Sequence, residues 1–330
     1  MDSIVKKHPF KVDIPVALVF FNRPDLFKQV FEAVKRNRPS KLFLIQDGPR
    51  PTNNQDLPKI MECREIASQI DWECEVIQDY SEKNMGCGRR IFSGLTNAFK
   101  VVDRLVIIED DIVISDSFLP LCRLLLDKYK DDERINSISG MNHFGVYEDC
   151  PYSYFFSRGG AIWGWATWKR VWDDIDWNLG VINDPYIYKT LKRNGTPYRF
   201  TKGIAEKAKG IASKIESGGA PSFWSFHFLL YSYLESRFNI VPKYNQISNI
   251  GCIEGAHTKN TFEVLTKEMK SIYYAKRYDI SLDLVHPPVV FEDRYFKNIQ
   301  DELMNPTGIH RVKQKINLMW NRLKVNINHR

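Results

Sequence analysis

Three short runs of branched and aromatic residues, each cut off by a polar turn, constrain this chain more than any other feature. They are Ile14 to Phe21, ended by Asn22-Arg23-Pro24-Asp25; Lys41 to Ile45, ended by Gln46-Asp47-Gly48-Pro49; and Arg104 to Ile108, ended by Glu109-Asp110-Asp111. Unbroken apolar runs of this length predict strands buried on both faces, and Pro24 cannot continue a central strand. After the first run, Leu26, Phe27, Val30, Phe31 and Val34 recur at helical spacing, which predicts a helix with Asp25 as its N-cap. Further helices are expected over Lys59 to Ile70, Arg89 to Phe99 and Ser222 to Ser236, and shorter strands at Cys74 to Ile77 and Ile135 to Ser139. Strands alternating with helices predict an α/β fold, a mostly parallel sheet with helices on both faces. Ligands of such sheets bind beyond the carboxyl ends of the strands, so the three polar turns are the places to look for chemistry.

The 43% hydrophobic and 26% charged residues are those of a globular chain and exclude wholesale disorder. Net charge +7 suits a phosphate-bearing substrate or an anionic membrane surface. No zinc-finger spacing, dinucleotide fingerprint or RNA-binding motif accompanies it, so nucleic acid is not an expected partner. Met1 to Val12 lacks the apolar stretch of a signal peptide, and no later run could span a bilayer, so the expected location is the cytoplasm. Six scattered cysteines without a C-x-x-C pair are expected to be reduced thiols.

The acidic triplet carries the strongest chemical signal. Glu109, Asp110 and Asp111 follow four branched apolar residues and precede Ile112-Val113. Three like charges between buried flanks cost several kcal/mol without a counter-ion, on the order of a few per charge. A divalent Mg²⁺ or Mn²⁺ would remove that cost and keep open positions for substrate phosphates. The alternative is a solvated strand end followed by a helix cap.

The triplet resembles the acidic metal-binding motif, often D-x-D, of glycosyltransferases with the GT-A (Rossmann-like) fold. The form is similar to that of the N-acetylglucosaminyltransferase that begins complex N-glycans, and to bacterial relatives in surface-polysaccharide assembly. Other segments extend the likeness: Asn22-Arg23-Pro24-Asp25, Gln46-Asp47-Gly48, Asn84-x-Gly86 with Arg89, Gly164-Trp165-Ala166-Thr167-Trp168, Ser248-Asn249-Ile250-Gly251 and Ala256-His257-Thr258. The resemblance implies a metal-dependent transferase that moves a sugar, by inversion, from a nucleotide-diphosphate donor of the UDP type. Its acceptor would be a glycan or lipid-linked glycan. Asp111 and His257 would hold the metal. Asn22, Arg23, Asp47, Asn84, Arg89, Glu109 and Asp110 would line the nucleotide-sugar, with Asp47 at the base and Asp110 at the ribose. Guanidinium groups also suit phosphate on their own account.

An inverting transfer needs a general base near the acceptor hydroxyl. The resemblance places an aspartate after a tryptophan at a helix start, where this chain has Trp224-Ser225. His227, one turn in, and Glu216, in the approach to that helix, are the candidate bases; His227 as a core residue is the alternative. Trp163 and Trp165, in a glycine-rich loop, are the candidate acceptor wall, whereas Trp168 and Trp172, one helical turn apart, belong to a core. Residues 1–260 are read as the transferase domain and 261–330 as a helical C-terminal extension. In that extension Ile309, Val312, Ile316, Met319, Leu323 and Ile327 recur at helical spacing among basic residues. Such a helix suits peripheral contact with the inner face of the membrane, or packing on the domain or on another subunit of an oligomer. Two other functions stay open: a silent module that binds nucleotide or glycan, and a sugar nucleotidyltransferase. The latter lacks support because its glycine-rich signature is missing after the first strand.

Overall fold

The computed structural model describes residues 7–193, 203–252, 263 and 265–304, with isolated positions up to 319. In chain order the first half contains β1 (Val12–Phe20), α1 (Pro24–Asn37), β2 (Pro39–Gln46), α2 (Asp56–Ala67), β3 (Glu75–Tyr80), α3 (Cys87–Phe99), β4 (Arg104–Glu109) and β5 (Ile112–Ile114). There follow α4 (Phe118–Lys128), β6 (Ile135–Ser139), β7 (Tyr154–Ser157), β8 (Trp165–Trp168), α5 (Lys169–Asp173), a 3₁₀ turn (Gly180–Asn183), α6 (Pro185–Arg193), α7 (Ile204–Glu216) and α8 (Ser225–Leu234). The last elements are β9 (Phe238–Pro242), β10 (Ile247–Asn249), α9 (Lys267–Lys270) and α10 (Arg294–Met304).

Eight strands form one sheet in the order β3-β2-β1-β4-β8-β6-β9-β7. The first four are mutually parallel, and β8 runs antiparallel to both β4 and β6. The chain winds outward from β1 through β2 to β3, then returns to lay β4 on the other side of β1. That reversal is the topological switch point, where adjacent loops diverge and leave a crevice. The turns after β1 and β4 both open there.

The apolar runs behave as expected. Ile14, Val16 and Leu18 of β1 and Leu105 to Ile108 of β4 are almost wholly buried. α1 closes one face with Phe27, Val30, Phe31 and Val34, each side chain contributing roughly 1.5–3 kcal/mol of apolar burial. Its cap differs from expectation: Arg23 is the N-cap, Pro24 begins the helix and Asp25 lies in the first turn. Proline suits that first position because the N–H it lacks would have no intrahelical partner.

The second half departs further. Trp165, expected in a loop, is the first residue of β8 and fully buried. Four residues between Gly164 and a helix give no readable alternation, and only pairing with β4 and β6 makes them a strand. Trp168 and Trp172 are both buried, at the end of β8 and in α5. Residues α6 to α8 build a separate small core around Leu179, Leu191, Ile204, Ala208, Phe226 and Leu230. Ile272 and Ile280 join the main core, so the segment after residue 265 returns to the sheet. The boundary drawn at 260 falls outside the described residues, as does most of the basic C-terminal stretch. Among its described positions, Val312, Ile316 and Met319 are exposed.

Candidate functional site

The turn joining β4 to β5 puts three carboxylates at the switch point, and the β1–α1 loop answers them with one guanidinium. Asp110 is buried and accepts a hydrogen bond from the Phe21 backbone N–H at 3.2 Å. Arg23 donates to Asp110 through Nη2 and, at 3.3 Å, through Nε, and its Nη1 reaches Asp111 Oδ2 at 3.1 Å. Burial disfavours the arginine charge, but Asp110 and Asp111 outweigh it and raise the Arg23 pKa. The counter-ion that the triplet demands is therefore supplied in part by the protein, which the sequence reading had assigned to a cation alone.

One guanidinium does not balance three carboxylates. Burial and the charges of Asp111 and Asp110 push Glu109 up to about 8, against a smaller opposing effect of Arg23. Burial likewise raises Asp111, with Arg23 opposing and Asp110 reinforcing. A half-buried carboxyl held protonated near neutrality marks a place of surplus negative potential.

The opposite flank of Asp111 is closed by the short ladder of β10 on β5, which pairs Asn249 with Ile112. Ile250 N–H donates to the Asp111 carbonyl at 2.8 Å, and Gly251 follows immediately. A side chain at Gly251 would overlap the Asp111 carboxylate, its Cβ falling 2.8 Å from Asp111 Cβ. Glycine at that position is what lets the backbone lie against the carboxylate. His257, the other expected metal ligand, lies outside the described residues.

The residues expected around the nucleotide divide into two groups. Asp47 accepts from the N–H groups of Gly48, Met85 and Gly86, each at 2.9 Å, and Asn84 donates to the Gly48 carbonyl at 2.8 Å. Both side chains thus fasten the β2–α2 loop to the loop before α3, where Gly48 permits backbone contact with Glu82 and Lys83. Asn22 donates to Asp56, a buried carboxylate also held by Arg50 through Nε and Nη2, both at 2.7 Å. Those Arg50 bonds hold the Asp56 carboxyl below the usual range, against the effect of burial. Arg89 stays exposed on the first turn of α3, while its neighbour Arg90 is buried against Asp79.

The two expected bases lie in different surroundings. His227 is fully buried, stacked on Trp177 at 4.8 Å with Nε2 at 2.9 Å from the Trp177 carbonyl oxygen. Burial lowers its pKa, and its Nδ1 has no hydrogen-bond partner. It is a packed core histidine. Glu216 is exposed at the end of α7, whose apolar face belongs to the small helical core. Trp165 stacks on Trp224 at 5.5 Å and offers no surface to a ligand. Trp163, by contrast, is half-buried and packs on Tyr273 at 5.4 Å. Tyr273 was not singled out in the sequence because nothing in its neighbourhood carries a motif. Cys63, Cys74, Cys87, Cys122 and Cys150 form no disulfide, and the Cys87 thiol, opening α3, is pushed up to about 12 by burial and then by Glu109 and Asp110.

The donor set admits a hard cation. Glu109 and Asp111 offer carboxylate oxygens at the point of surplus negative charge, and hard cations with few protein ligands retain water or phosphate. Among the described residues no three His, Cys, Asp or Glu side chains form a ready-made metal cluster. Among the same residues no helix is long and apolar enough to cross a membrane.

No family model matches the sequence, and no curated protein does. Among solved structures, the chain is similar to S. aureus TarS (residues 1–349), at 10% identity and a TM-score of 0.38 over 71% of this chain and 59% of that one. It is also similar to UDP-glucose pyrophosphorylase complexed with UDP-glucose, at 10% identity and a TM-score of 0.33 over 72% of this chain and 93% of that one. The chain thus spans less than two thirds of the first of these, and likenesses at this level carry no weight for activity.

Proposed function

We propose that this protein is a glycosyltransferase that takes a nucleotide-diphosphate sugar as donor and holds its diphosphate at the Glu109-Asp110-Asp111 turn. The observation that supports this reading is the pairing of a buried acidic turn with the Arg23 fork at the switch point of an α/β sheet. Glu109 and Asp111 would hold Mg²⁺ or Mn²⁺, which would supply charge neutralisation for the departing diphosphate. Arg23 is placed to hold Asp110 and Asp111 in register and to offer a guanidinium to phosphate oxygens. Asp47 and Asn84 shape the nucleotide side by joining two loops rather than by presenting free polar atoms. The donor is read as UDP-linked and the acceptor as a glycan or lipid-linked glycan of surface-polysaccharide synthesis, both by resemblance.

A second reading has its own support. Serine rather than a carboxylate follows Trp224, and His227 is sealed in a core. A silent module that binds the donor without transferring it fits that arrangement. Calorimetry with UDP-sugars, with and without Mn²⁺, tests the binding. Metal should strengthen binding at least tenfold, and Asp111→Ala should abolish that gain; equal binding with and without metal, unchanged in the variant, overturns the reading. Release of UDP from a donor panel then separates the active from the silent form.

A further inference from the structure

Two aromatic side chains that the donor site does not employ meet beside Asp111. Trp163 comes from the loop before β8, Tyr273 from the segment after α9, and their ring centroids lie 5.4 Å apart at 45°. Both keep part of their surface exposed. Each stands on backbone that is pinned to the acidic turn's own supports. On the Trp163 side, Ser139 Oγ and the Ala161 backbone exchange hydrogen bonds, and Gly140 N–H donates to the Gly164 carbonyl at 2.7 Å. Gly164, at a φ of 56°, lies so close to β5 and β10 that a Cβ there would meet Ile247 at 2.8 Å and Ile112 at 3.0 Å. On the Tyr273 side, the backbone bridges to Asn249, Tyr274 N–H donates to the Asn249 carbonyl at 2.9 Å, and Tyr274 Oη donates to the Ile250 carbonyl at 3.0 Å. Asn249 and Ile250 are the residues that close on Ile112 and Asp111.

We propose that Trp163 and Tyr273 together form a platform for a hexopyranose ring next to the diphosphate position, with Tyr273 a specificity-determining residue. This rests on the transferase reading above. A pyranose presents an apolar C–H face that packs on an aromatic ring, while its hydroxyls meet polar groups at the rim. The rigid seating of both rings lowers the cost of ordering them when the sugar arrives. The ring bound is either the donor sugar, carried in on the diphosphate, or an acceptor sugar facing it; the chemistry is shared and the test separates the two.

Binding of UDP, UDP-glucose, UDP-galactose and UDP-N-acetylglucosamine, with Mn²⁺, is measured by calorimetry on the wild type, Trp163→Ala, Tyr273→Ala and Tyr273→Phe. In parallel, saturation-transfer NMR follows methyl β-glucoside, methyl β-galactoside and methyl β-N-acetylglucosaminide in the presence of UDP. For a donor ring, Tyr273→Ala weakens one UDP-sugar on the order of tenfold while leaving UDP within twofold, and Tyr273→Phe restores it. For an acceptor ring, the UDP-sugars are unaffected and a glycoside signal disappears in Tyr273→Ala and returns in Tyr273→Phe. An equal loss for UDP and UDP-sugar, the mark of a stacked base or a disturbed fold, overturns the proposal. So does the absence of any change in both arms. If the wild type binds no UDP at all, the transferase reading fails, and the glycoside arm, repeated without UDP, still decides whether Tyr273 holds a sugar.

Discussion

Arg23 and Asp110 show how a single pair settles the character of the site. Asp110 is buried, and a buried carboxylate deprived of its partner loses about 3 kcal/mol or more. Arg23→Met is therefore expected to lower stability by roughly 3 kcal/mol, read from urea midpoints, and Asp110→Asn in the same chain should recover much of it. Gly251→Ala probes the other flank. The methyl group would displace the Asp111 carboxylate, so cation-dependent nucleotide binding should fall at least tenfold while metal-free binding stays within about twofold. Glu109 sets the pH response. Its folded pKa of about 8 lies above the ordinary glutamate value of 4.5, so the folded state binds the extra proton and stability falls as pH rises between those values. His143, lowered to about 4 by burial, acts in the opposite sense, its cost complete below pH 4 and gone above 6.5. Between pH 6.5 and 8 the glutamate is left to dominate. The melting temperature should fall across that interval, and either Glu109→Gln or added Mg²⁺ should flatten the slope.

At the level of elements, what the sequence revealed depended on how each strand is buried. β1, β2 and β4 are covered on both faces, so their apolar runs are unbroken and their ends read correctly to within a few residues. β5, β7, β8 and β10 are three or four residues long, too short for any period, and they exist through pairings remote in sequence. The same limit hid the true role of Trp165. The polar turns at the ends of β1, β2 and β4 were legible because each interrupts an unbroken apolar run. The loops' internal bonding was not: the polar atoms of Asp47 and Asn84, expected to face a ligand, are consumed in joining backbone segments. The β5–β10 clip depends on Gln246, whose Oε1 accepts from both Ser115 and Ser117 at 2.8 Å and whose Nε2 donates to the Tyr244 and Tyr278 carbonyls at 2.9 Å. Gln246→Leu would leave several buried groups unpaired at about 1–3 kcal/mol each. It should cost roughly 3 kcal/mol in denaturant unfolding and weaken nucleotide binding, although the residue lies on the strand's far end from Asp111.

For the whole molecule, ligand binding and stability should be coupled at the switch point, since the turn after β4 links the parallel sheet to the β5–β10 ladder. At a ligand concentration of 100 times its dissociation constant, the linkage adds about 2.7 kcal/mol. For a chain of this size that is a rise in melting temperature of roughly 4 °C, to be seen in full with Mn²⁺ and UDP together and to a smaller extent with either alone.

The clip also fixes when the site comes into being. Ser115 and Gln246 are 131 residues apart, so the acidic turn leaves the ribosome long before the strand that braces it. At bacterial or eukaryotic elongation speeds the wait is on the order of ten seconds. During that interval β1, β2 and β4 already have one another, but Asp111 has no Gly251 against it. A nascent chain halted before residue 247 lacks the β10 partner of β5 and the Ile250 N–H that meets the Asp111 carbonyl. The brace on the acidic turn is thus a feature that arrives with the last strands of the sheet.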